Sequence, residues 1–130
     1  MRLATLSLLC LVLVGCKKRA EPSLSRIPDS YITAGGGVQE TPESTVFHTI
    51  YKYPGHADQA FGFYSAEMEK RGARRVGDAY VDDNLVSSGG FGRDATVTAK
   101  DPSRPGVYIA IVETQDATYL DMWENVPVAR

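Results

Sequence analysis

The hydrophobic period of this chain switches sharply from strand to helix at Pro54-Gly55, and that switch constrains the fold more than any other feature. Residues 45–53 are dense in β-branched and aromatic side chains and read as a strand. Alternation puts Val46, His48, Ile50 and Lys52 on one face and Phe47, Thr49, Tyr51 and Tyr53 on the other, so the more aromatic face is expected to meet the core. Beyond the break, residues 56–71 take helical spacing, with Ala57, Ala60, Phe61, Tyr64 and Met68 on one stripe and Phe63 beside it. Asp58 suits the first turn, Lys70 and Arg71 suit the last, and Gly72 follows as a C-cap. Gly62 costs about 1 kcal/mol relative to Ala in a helix interior, so it marks either an exposed weak point or the close approach of another element. Burial of Phe61, Tyr64 and Met68, at roughly 1.5 to 3 kcal/mol each, outweighs it.

Short strands account for most of the remainder. Residues 30–34 form a brief candidate before Gly35-Gly36-Gly37, and Thr41-Pro42-Glu43-Ser44 reads as a turn. Residues 74–80 and 84–88 are further candidates, and Ser88-Gly89-Gly90-Phe91-Gly92 is a loop. Residues 94–100 and 106–113 are clearer and are expected to face each other across the turn at 101–106. Residues 118–123 form a last strand after the turn at 115–117. One helix, preceded by a strand and followed by a meander, predicts an α+β domain with a single helix packed on an antiparallel sheet. A length of 130 residues suits one such domain with appendages.

Residues 3–14 are apolar except for Thr5 and Ser7, and Arg2 precedes them, which is the layout of an export signal. As a helix the run would span about 20 Å, against the roughly 30 Å of a hydrocarbon core, so removal is expected rather than a membrane span. It ends in Leu13-Val14-Gly15-Cys16, which resembles the lipobox of bacterial lipoproteins. That resemblance, confined to the N-terminal segment, implies cleavage between Gly15 and Cys16. It implies a diacylglycerol on the Cys16 thiol and acylation, as by palmitate, of the new amino group. Two or three chains, at about 0.8 kcal/mol per buried methylene, make a stable anchor. Lys17 stands where an Asp usually signals inner-membrane retention, which implies outer-membrane sorting, facing the periplasm, in a Gram-negative host.

The expected organisation is therefore a signal peptide at 1–15, a lipidated cysteine and flexible tether at 16–28, and a single α+β domain at 29–130. About 12 tether residues would reach roughly 20 Å r.m.s.. Lys17, Lys18 and Arg19 could touch anionic head groups, at about 1 kcal/mol each. Residues 46–100 also resemble small extracytoplasmic domains in which a strand leads to a helix containing Phe-Tyr and ending in Gly. Phe63, Tyr64, Met68 and Gly72 carry that likeness, and Ala73 stands where an aromatic is usual. Most such domains lack an assigned activity, so the likeness bears on the fold more than on function.

Composition closes off several kinds of chemistry. The balance of 14 Lys plus Arg against 16 Asp plus Glu, without a concentrated basic window, argues against nucleic acid as a partner. Cys10 and Cys16 are the only 2 cysteines, so the body has neither an internal disulfide nor a cysteine metal site. His48, His56 and Asp58 could be imagined as a metal or proton-transfer site, but locally hydrogen-bonded histidines are the expectation. Asp78 and Asp82-Asp83-Asn84 are rich in oxygen, yet they lack the EF-hand spacing, glycine and terminal glutamate, so they read as a turn. The stretch from Gly89 to Arg93 precedes a strand where a phosphate loop needs a helix N-terminus. Ser23, Ser25 and Ser65 have no placed base, and no Gly-x-Ser-x-Gly elbow occurs. Tyr119 and Trp123, with the loop from Gly89 to Arg93, could hold a sugar or peptide, though core edges are the more frequent use of such aromatics. No catalytic residue, metal or cofactor is expected. The reading is a membrane-anchored envelope lipoprotein, a non-enzymatic binding or scaffolding module whose partner is another envelope protein or murein. A glycan- or peptidoglycan-binding module is the alternative, and an enzyme built on His48, His56 and Asp58 a third.

Overall fold

A computed structural model describes residues 20–34, 37–88, 90–91 and 96–128. The expected signal peptide, the Gly15-Cys16 cleavage and lipidation site, the sorting residue Lys17, and Arg93 lie outside the described residues. Among those described, the elements are β1 Tyr31–Ala34, β2 Val38–Glu40, β3 Ser44–Tyr53, α1 Ala57–Lys70, β4 Arg74–Val76, β5 Ala79–Val81, β6 Leu85–Ser88, β7 Thr96–Ala99, β8 Gly106–Glu113 and β9 Thr118–Pro127. A 7-stranded antiparallel sheet runs β1-β3-β9-β8-β5-β4, with β2 also on β3, and β6 pairs with β7 in a separate hairpin. The α+β expectation of one helix on an antiparallel sheet therefore holds.

The helix forms where period and caps agree. Ala60, Phe61, Tyr64 and Met68 are buried against Val107, Ile109, Ile111, Leu120 and Met122, with Tyr51 and Tyr53 of β3 packed at the edge. The Tyr64 hydroxyl donates to Ser25 O at 2.8 Å and accepts from Ile27 N–H at 3.2 Å, and burial pushes its pKa up to about 12. At the C-terminus, Ala73 N–H donates to Met68 O and Gly72 N–H to Glu69 O, a pair of bonds that requires the left-handed backbone of Gly72, φ 80°.

Four expectations need correction. The first is the tether, because residues 23–28 belong to the folded body. Ile27 is 4% exposed inside the helix-side core, and Leu24 packs against it. The amides of Ser23 and Leu24, with the Ser23 hydroxyl, donate to the Glu124 carboxylate of β9 at 2.5 to 3.1 Å. Read as a sequence, this stretch is polar and proline-punctuated; in the fold the Leu24 amide is held by a buried carboxylate on a strand 100 residues away and the Ile27 amide by the Tyr64 hydroxyl.

The second correction concerns β7, which pairs with β6 rather than with β8. Hairpin β6-β7 crosses to the face of the sheet opposite the helix, where Leu85 and Val97 cover Val46 and Trp123. The sheet is thus covered on both faces at one end. The segment from 101 to 105 is a link between layers, clamped by Asn84, whose amide donates to the carbonyls of Asp101, Arg104 and Pro105 at 3.0 to 3.1 Å. Gly106 lets the layers meet, since a Cβ there would lie 3.1 Å from Leu85.

The third is the candidate strand at 74–80, which is broken by a tight turn at Gly77-Asp78, Gly77 having φ 60°, so that β4 and β5 form their own hairpin. The fourth is the last strand, which continues through Glu124 and Asn125 to Pro127 and pairs with β3 along its whole length, from Thr118 opposite Tyr53 to Pro127 opposite Ser44. Both polar residues are buried, which is why the sequence suggests an earlier end.

Candidate functional site

Among the described residues, the side of the sheet away from α1 brings polar and aromatic groups together. Register places His48 of β3, Trp123 of β9 and Tyr108 of β8 in one row. The His48 ring stacks on Trp123 with centroids 3.6 Å apart and planes 5° from parallel. Phe91 stacks on Tyr108 at 3.9 Å and meets Trp123 edge-on, so aromatic rings roof the row. One position further along β9, on the same face, Asp121 reaches diagonally to His48, with Nε2 and Oδ1 at 2.5 Å. His48 is 8% exposed and Asp121 24%, so the imidazole is enclosed while the carboxylate borders water. Burial, and then the Asp121 charge, hold the Tyr108 phenol above its usual pKa. The arrangement resembles the base-and-orienter half of a catalytic triad. Among the described residues no hydroxyl or thiol nucleophile is hydrogen-bonded to His48.

Asp121 also marks a boundary on this face. Toward Val46 and Asn125 the sheet lies under hairpin β6-β7; beyond Asp121, toward Lys52, Tyr119 and Val112, it is open. The open half is more apolar than the solvent side of an antiparallel sheet usually is. Val112 is 49%, Val76 53% and Tyr31 51% exposed, and Ile50 and Tyr119 are half-buried between them. Lys52 lies over the Tyr119 ring, 6.0 Å from its centroid.

The residues singled out by sequence are separated by this geometry. Tyr119 is available on the open half. Trp123 is 4% exposed with one face against His48, so a role in stacking on a ligand does not fit and the core reading does. His56 does not join His48; it sits exposed at the start of α1, where its Nδ1 faces Glu113 of β8 at 3.0 Å. Glu113 also accepts the Ala57 amide at 2.8 Å. The Glu113 hydrogen bond and charge raise the His56 pKa, while the Ala57 amide, followed by His56, lowers that of Glu113. Asp58 accepts the Gln59 amide at 2.9 Å, a local helix-start contact. Asp82 accepts the amide of Asn84 and Asp83 pairs with Arg74 at 3.3 Å, so these residues shape the turn into β6. Asp121 and Glu124 escaped the sequence reading, because their partners, His48 and Ser23, are distant in sequence and only the β3-β9 register brings the first pair together. Comparison with known families, curated proteins and solved structures gives no match.

Proposed function

We propose that this chain is a membrane-anchored bacterial envelope lipoprotein, lipidated on Cys16, whose folded domain is a non-enzymatic module binding another envelope protein through the open half of the sheet. The observation that carries the binding part is that half-face itself: Tyr31, Lys52, Tyr119 and Val112 in one row, and Ile50, Asp121 and, at the far edge, Val76 in the next. Single exposed aliphatics are ordinary, whereas several apolar and aromatic side chains on one uncovered sheet face, interleaved with charges of both signs, suit an interaction surface. Support for the anchor is the sequence from Arg2 to Cys16. The glycan alternative is weakened by the burial of Trp123, the indole it relied on for stacking.

Two measurements test the two halves separately. Cys16→Ser should abolish incorporation of labelled palmitate, and equal labelling of variant and wild type would end the lipoprotein reading. A photoreactive amino acid at Tyr119 should crosslink in intact cells to one defined envelope protein. Crosslinking to murein alone would transfer the assignment to the glycan-binding alternative.

A further inference from the structure

The packing of residues 23–28 has a geometric consequence for an anchored protein. If Cys16 carries the lipid, as proposed above, the chain leaves the bilayer only seven residues before Ser23, and Ser23 is fixed. Its amide and hydroxyl are held by Glu124, while Arg71 donates to its carbonyl at 3.2 Å and its hydroxyl at 3.0 Å. Seven residues reach at most about 25 Å when fully extended and roughly 15 Å as a flexible coil. The body is therefore held close to the membrane by one particular corner, the C-terminal end of α1. Adjoining that corner is an open groove of about 690 Å³ on the outer face of the helix, lined by Ser25, Phe63, Ala66, Glu67, Glu69 and Lys70. Ser25 belongs both to the fixed segment and to the groove, its amide donating to Glu67 at 3.2 Å. Phe63 is 40% exposed and Lys70 is exposed, an aromatic and a cation of the kind that settle at a lipid–water interface.

We infer that the outer face of α1 rests on the surface of the membrane that holds the Cys16 lipid, its exposed Phe63 and Lys70 directed at the head groups. The occupant of the groove is the bilayer surface, chosen by the short covalent reach from Cys16 to Ser23. The sheet separates this face from Val112, which lies on the opposite side at roughly 10 Å per layer. Docking by the helix turns the open half of the sheet toward the periplasmic space.

The experiment uses the full lipidated protein in vesicles containing head-group spin-labelled phospholipid. After signal removal and thioether formation at Cys16 no other thiol remains, so Ala66→Cys and Val112→Cys each carry a single fluorophore. Glu69→Cys and Val76→Cys provide a second pair should either of the first fold poorly. The expected result is quenching several-fold stronger for the helix-face probes than for the sheet-face probes. Equal quenching, or the reverse order, with palmitate incorporation intact overturns the docking and leaves the anchor standing. Absence of palmitate from the wild type removes the anchor and the docking with it.

Discussion

Gly62 and Gly72, in the interior and at the end of the same helix, answer to opposite physics. A Cβ added at Gly62 would meet nothing within 4 Å, so no close approach explains that glycine and it is an exposed weak point. Gly62→Ala should therefore raise stability by about 0.5 to 1 kcal/mol. Gly72 has open space too, but its φ is 80°, and Gly72→Ala should lower stability by about 1 kcal/mol by straining the cap. Urea midpoints that move in the same direction for both variants would contradict this account. The cap was legible at Gly72 because glycine after a basic last turn is a local signal. The open setting of Gly62 was not, since nothing local distinguishes a solvent-facing glycine from one pressed against a neighbour. Glu124 was illegible for a related reason: an acidic residue usually marks a surface, and this one is 3% exposed, enclosed by the Ser23 and Leu24 amides and by Arg71 at 3.7 Å.

At the scale of the element, β3 and α1 could be read from the sequence because period, propensity and breakers pointed the same way. The partner of β7 could not. Alternating apolar residues show that a strand has a face to bury, but not which of two neighbours along the chain will cover it. The start of α1 is a further case, for its amide Ala57 N–H is capped from outside the helix, by Glu113 of β8. The pH dependence of that contact follows from the shifts. His56 is raised above its ordinary 6.5, so its contribution is complete below that value and is lost as pH rises through the folded pKa. Glu113 is lowered below 4.5, so its contribution is present above that value and is lost as pH falls through the folded pKa. Between about 4.5 and 6.5 both groups are charged in the fold. The stability deficit of Glu113→Gln should be largest in that window and should shrink on either side, as read from urea midpoints across pH. A deficit constant across the range would show that the ion pair is not what couples β8 to the helix.

Considered as a whole, the molecule is layered unevenly: helix and N-terminal segment on one side of the sheet, and a hairpin over only half of the other. Fold class was legible because one helix among strands admits few layer arrangements. The extent of the domain was not, because Leu24 and Ile27 acquire partners only once the core exists. A chain beginning at Asp29 should accordingly be markedly less stable than one beginning at Lys17, since it lacks Ile27 and leaves the Glu124 carboxylate without the Ser23 and Leu24 donors. Equal urea midpoints would restore the boundary to residue 28. The uneven cover also separates structural from binding roles on a single face. Trp123, enclosed by His48, Phe91 and the hairpin, should cost about 3 to 5 kcal/mol on substitution by Ala. Such a loss would remove partner crosslinking only by unfolding the domain. Val112 lies two rows away along β8 and 49% exposed, so Val112→Asp should change stability by no more than about 0.5 kcal/mol. The same variant places a charge beside Tyr119 on the open half, and it should sharply reduce recovery of the crosslinked partner while palmitate labelling and the urea midpoint stay at wild-type values. Undiminished crosslinking from a folded Val112→Asp protein would mean that the partner binds elsewhere and that the open half-face is bare sheet.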